Sequence, residues 1–156
     1  MTHIVHVAWI IDSNRILSSF QTHIAGVRHL IDLALSSKHV LPPHFTFLSS
    51  IAVVGHWPAA QSIPEKSLDS PAFCYHQGYS YAKYICEKIL ETAVAQRPGF
   101  RASIVRSGQI AGALDTGAWS RKEYIPSLMQ GSVQLGMVPK DLRVRIICSH
   151  PRFQSC

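Results

Sequence analysis

A chain of 156 residues carrying a formal charge of +6 and a pI near 9.4 has room for one domain with its own core. An apolar share of 47% against 15% charged residues excludes a disordered chain, and no apolar run approaches the roughly 20 residues of a membrane span. Half of the excess positive charge lies in residues 140–156, where Lys140, Arg143, Arg145 and Arg152 face one acid, Asp141. The rest is spread without basic–aromatic interleaving, which argues against a nucleic-acid partner.

His3 to Ala8 is short and β-branched and predicts a buried strand. From Ser19 the period changes: Phe20, Ile24, Val27, Leu30, Ile31, Ala34 and Leu35 share one helical face, with Ser18 or Ser19 as the expected N-cap. Leu41-Pro42-Pro43 ends that segment, and Phe45 to Leu48 begins a second strand running into Ser49 and Ser50. The stretch from Gly55 to Gly78 has no clean period and reads as a loop. Tyr79 to Ala95 predicts a helix stopped by Arg97-Pro98-Gly99. A third strand is expected over Arg101 to Arg106. Lys122 to Leu135 reads as helical, with Pro126 in its first turn.

This alternation points to an α/β fold with a parallel sheet, and such sheets bind ligands at the carboxyl ends of their strands. Ala8-Trp9, Ser49-Ser50 and Ser107-Gly108 stand at those ends. The high apolar share further implies a face that expects a partner.

Cys74, Cys86, Cys148 and Cys156 form no CxxC pair, and the nine histidines fall in no HExxH or HxxxH pattern, so no metal is expected. The start, MTHIVHVAWIID, lacks the basic region of a signal peptide, and a reducing, cytoplasmic setting is the expectation.

The residues that carry chemistry are Tyr79 and Lys83, four apart at the start of a helix and so on one face. A nearby ammonium favours the phenolate, which predicts a lowered pKa for Tyr79 and a role in passing a proton to or from a substrate oxygen. Ser50, at a strand end, can hold the same oxygen. The spacing alone is weak, because Tyr84 and Lys88 repeat it in the same helix. Five residues turn about 140° around a helix, so the two pairs cannot serve one site. Tyr79 is favoured by its place at a loop-to-helix junction.

Ser49-Ser50-Ile51-Ala52-Val53-Val54-Gly55, then Gly78-Tyr79-Ser80-Tyr81-Ala82-Lys83 with Glu87, resembles the "SSxxVxG … GYxxSKxxxE" signature of extended short-chain dehydrogenases. Arg106-Ser107-Gly108-Gln109-Ile110-Ala111-Gly112 resembles "RxGQIxG". Gly117-Ala118-Trp119-Ser120 with Glu123-Tyr124-Ile125-Pro126 resembles "GxWxxxEWxP". His6-Val7-Ala8-Trp9 is similar to "HNAW" at the end of a fourth strand.

Together these blocks resemble the thioester reductase (male-sterility, NAD-binding) domains that close fungal adenylating, non-ribosomal-synthetase-like enzymes. The resemblance implies the carboxyl-terminal half of a Rossmann-like sheet, and an NADPH-dependent reduction of a carrier-bound acyl thioester to an aldehyde. It implies Ser50 as oxygen holder, Tyr79 as proton donor, and Lys83 as ribose ligand and tuner of Tyr79. Ala8, Trp9, Ser49, Ser107, Gly108, Gln109 and Ile110 would lie beside the cofactor. Residues 1–112 would belong to the nucleotide-binding domain, 113–139 to the start of a substrate region and 140–156 to a divergent basic tail.

This sequence contains no GxxGxxG turn, and Val7 stands where the group has asparagine. The expectation is therefore an amino-terminally shortened reductase. The alternative is an inactive remnant that acts by association with a partner, for instance through a sheet edge.

Overall fold

The computed structural model describes residues 1–58 and 60–138. The chain divides into two compact units, Met1–Ser107 and Gly108–Cys156. In the first, strands β1 (His3–His6), β2 (His44–Ser50) and β3 (Ala102–Ser107) form a parallel sheet in the order β1-β2-β3. Helix α1 (Gln21–Leu35) crosses from β1 to β2, and helix α2 (Gly78–Gln96) returns to β3. The predicted α/β sheet is the one observed.

Alternation along β2 builds the core. Phe45 and Phe47 are fully buried on one face, against Val27, Ile31 and Ala34 of α1 and Cys86 and Leu90 of α2. Both long helices therefore cover the same side. On the opposite side Val5 and Val105 are 63% and 45% exposed, although parallel sheets ordinarily have both faces covered.

Two local expectations fail for identifiable reasons. Neither Ser18 nor Ser19 caps α1, because both lie inside a 3-10 turn, Leu17–Phe20, and the N-cap is Phe20. The aperiodic stretch after β2 is more than a loop. The 3-10 turns Ile51–Val54 and Pro71–Phe73 gather a small core of Val53, Val54, Leu68 and Cys74, with Trp57, Ile63 and Phe73 packed around it. A 3-10 turn is too short to leave a period in the sequence.

In the second unit α3 (Tyr124–Leu135) carries Pro126 in its first turn, as expected, and ends on Gly136 at φ 63°. That left-handed conformation suits glycine and closes the helix through its N–H to Ser132 and Val133 carbonyls. The tail expected over 140–156 lies outside the described residues.

Gly78, the first residue of α2, makes a close approach. A Cβ there would meet the Arg15 carbonyl oxygen at 2.4 Å and the Leu17 backbone nitrogen at 2.5 Å. Backbone cannot yield as a side-chain tip can, so Gly78→Ala is expected to destabilise the fold by about 1–3 kcal/mol. A thermal melt with an unchanged midpoint would contradict this contact.

Candidate active site

The strand ends bring most of the expected residues to one edge of the sheet. Ser50 ends β2 and pairs in register with Ser107, which ends β3. The Ser50 hydroxyl accepts the Ala52 N–H at 3.2 Å, which caps the following 3-10 turn and fixes its rotamer. Tyr79, in the first turn of α2, lies across from it, near enough for the Ser50 side chain to act on the phenol. Its ring rests against Phe20, with centroids 6.2 Å apart at 73°. Nothing in the sequence marks Phe20 as a neighbour of the site; its helical period points only to the core.

Burial raises the Tyr79 pKa above its ordinary value, and the Ser50 side chain pulls the other way without overcoming it. The lowered pKa expected from the Tyr–Lys spacing is therefore not found. The ammonium lies 5.9 Å from the Tyr79 ring centroid, and removing the phenolate from water costs more than the neighbouring charge returns. Tyr79 is a neutral phenol across the neutral range, which suits a proton donor.

Lys83 is 3% exposed. Its Nζ donates to the Leu48 carbonyl at 2.7 Å and stands 4.0 Å above the Trp9 ring and 4.8 Å from that of Phe47. Burial lowers its pKa from 10.5 to about 8, while Cys86 and Glu87 oppose the shift. That displacement is worth on the order of 3 kcal/mol. The Trp9 ring also packs on His23, with centroids at 4.9 Å, and leaves its Nε1 buried without a partner.

Beneath this site lies a buried polar network. Glu87, one helical turn after Lys83 and fully buried, accepts from the Ser49 hydroxyl and pairs with Arg106 at 2.7 Å. Arg106 also donates Nε to both Glu87 oxygens at 3.2 Å and Nη1 to the Lys66 carbonyl at 3.2 Å. The network ties β2, α2, β3 and the intervening lobe together. The i,i+4 step from Lys83 places Glu87 on the same helix face in the sequence, but nothing there announces Arg106 as its partner.

Tyr84 and Lys88 are turned away. Tyr84 donates to the Leu68 carbonyl at 3.4 Å, and Lys88 is held by Ser67 and Glu91, each at 2.8 Å. They line a groove of about 350 Å³ with Ile31, Leu35, Ile85 and Ile89, between α1 and α2; none of Ser50, Tyr79 and Lys83 lines it.

Ala8 is exposed just after β1. In the second unit Gly108, Gln109 and Ile110 are exposed, and the Gln109 amide reaches Glu123 at 3.4 Å. Among the described residues no three His, Cys, Asp or Glu side chains could hold a metal ion, and no helix is long and apolar enough to cross a membrane.

Residues 1–146 match the model of an NAD-binding family described as male sterility protein. The chain belongs to that family. Two relatives agree with the membership. An adenylate-forming reductase of Aspergillus terreus is 38% identical over 144 residues, covering 88% of this chain and 14% of the relative. The 3-methylorcinaldehyde synthase of a Phoma species is 40% identical over 149 residues, covering 89% of this chain and 5% of the relative. The male sterility domain here thus spans a small part of the relatives it matches. The terminal R domain of the myxalamid PKS-NRPS pathway superposes with a TM-score of 0.75 at 22% identity, covering 88% of this chain and 34% of that one. That likeness assigns the Rossmann-like fold.

Proposed function

We propose that this male sterility domain carries the proton-donor half of an NADPH-dependent thioester reductase, acting in the cytoplasm on a carrier-bound acyl thioester to give an aldehyde. The observation that carries the reading is the convergence of Ser50 at the end of β2 and Tyr79 at the start of α2, the first acting on the phenol of the second, beside the buried Lys83, at the strand ends where open α/β sheets bind ligands. The Phoma relative's own name, an aldehyde synthase, agrees with the product class.

The residues present fit the reacting end of a nicotinamide nucleotide. Lys83 gives one N–H to Leu48 and keeps two of an ammonium's three donors, enough for a ribose hydroxyl. The buried Trp9 Nε1 has a donor to offer. Ala8, just after β1, and Ser107, at the end of β3, would line the cofactor. Ser49 would do so by backbone alone, its hydroxyl being committed to Glu87. When bound, the reduced nicotinamide would supply the hydride to the acyl carbonyl carbon.

Ser50 would hold the carbonyl oxygen by its hydroxyl, and Tyr79 Oη would pass its proton to that oxygen as charge develops there. Lys83, still an ammonium below about pH 8, would favour the phenolate left behind.

The test is aldehyde formation from a carrier-bound acyl thioester by this chain fused behind the amino-terminal half of a relative's reductase domain. Appearance of aldehyde with matching NADPH consumption supports the reading. A fusion that binds NADPH, accepts the carrier and forms neither aldehyde nor alcohol overturns it.

A further inference from the structure

Glu87 is an anomaly for a group outside the reacting edge: a carboxylate 1% exposed, satisfied by Ser49 and by three Arg106 contacts. Stability alone is a poor reason for burying such a pair, since apolar residues of similar volume commonly do as well. Its placement supplies a different one. Lys83 and Glu87 lie one helical turn apart and engage consecutive residues of β2, Lys83 through the Leu48 carbonyl and Glu87 through the Ser49 hydroxyl. The next residue is Ser50, and the preceding turn of α2 carries Tyr79. The clamp therefore sets how far α2 sits along β2, and it places a negative charge under a lysine that is otherwise surrounded by rings.

We propose that Glu87, fixed by Arg106 and Ser49, is a positioning residue that keeps Lys83 charged and seated on the Leu48 carbonyl beside Tyr79. The idea rests on the reading of Lys83 as part of a reductase site, but its test does not use turnover. The groups facing Lys83 are few. Tyr79, Cys86 and Glu87 come from α2, and the Cys86 thiol, pushed up to about 12 by burial, stays neutral. From β1 comes His6, whose own pKa is lowered below 6.5 by burial first and by the Lys83 charge after it. Behind Trp9 lies His23 of α1, and from β3 Arg106 is spent on Glu87. Glu87 is thus the anion that supports the ammonium.

Trp9, 4.0 Å below Nζ, is a built-in reporter of that charge. In the chain with Trp57→Phe and Trp119→Phe, Trp9 emission is expected to titrate with a midpoint near 8, and Lys83→Met is expected to abolish the transition. Glu87→Gln should move the midpoint down by about half a pH unit or more, a roughly threefold loss of proton affinity. A purely structural Glu87 would lower the melting temperature and leave the midpoint in place; that outcome overturns the proposal. So does a transition that survives Lys83→Met.

Should Glu87→Gln fail to fold because Arg106 is stranded, the double variant Glu87→Gln, Arg106→Gln leaves no unpaired charge. Glu87 is the member of that pair that bears on Lys83, so the midpoint is expected to fall here too, and an unmoved midpoint overturns the proposal. A shifted midpoint together with a fully active Lys83→Met fusion would instead remove the reductase reading and leave the coupling intact.

Discussion

Tyr79→Phe is expected to cost the fused reductase about 10²–10⁴-fold in turnover, the usual contribution of a general acid, while Tyr84→Phe leaves it within about twofold. Phenylalanine keeps the edge contact with Phe20 and most of the buried ring, so the loss isolates the hydroxyl. Tyr84 spends its own hydroxyl on the Leu68 carbonyl, away from the strand ends. Rates measured against pH should separate the two ionisations. Burial raises the Tyr79 pKa, so the phenol keeps its proton throughout the neutral range and does not limit the rate there. Lys83 loses its proton through about 8, so the alkaline limb belongs to it: activity should fall as pH rises through that value. Equal losses from the two tyrosine variants would show that neither hydroxyl is the donor.

Arg106→Met should destabilise the first unit by about 3–5 kcal/mol, the range for removing one partner of a buried ion pair. Glu87 is 1% exposed and Arg106 15% in their side chains, so solvent cannot replace the guanidinium. The lost contact to the Lys66 carbonyl should also loosen the lobe built on Val53, Leu68 and Cys74. Urea unfolding followed by far-ultraviolet dichroism reads the first effect. Faster amide exchange within residues 51–77, compared with α1, reads the second. For contrast, the exposed pair of Arg28 with Asp32 at 3.0 Å should be worth less than about 1 kcal/mol. A loss from Arg106→Met no larger than that from Arg28→Met would refute the burial argument.

The sequence by itself determined the order of elements, the parallel sheet and the strand ends at which Ser50 and Tyr79 come together. Those features follow from local periodicity and from the requirement that parallel strands be joined by long crossovers. It also separated Tyr79 from Tyr84, because a helix turns the two pairs to different faces. Its motif blocks carried the family, which the match over residues 1–146 bears out.

What only the tertiary structure decided depends on groups far apart in the chain. The Tyr79 pKa rises where the spacing to Lys83 predicted a fall, since burial behind Phe20 acts on the phenol and i,i+4 geometry says nothing of solvent. The lobe after β2 was hidden because its residues are organised by contacts with one another and with α2, not by a repeating period. Ser49, adjacent to Ser50 in the sequence and alike in chemistry, points to the other side of the strand and is committed to Glu87. Alternation along β2 makes that division certain in principle, but which side holds the carboxylate is set only when α2 packs against the sheet.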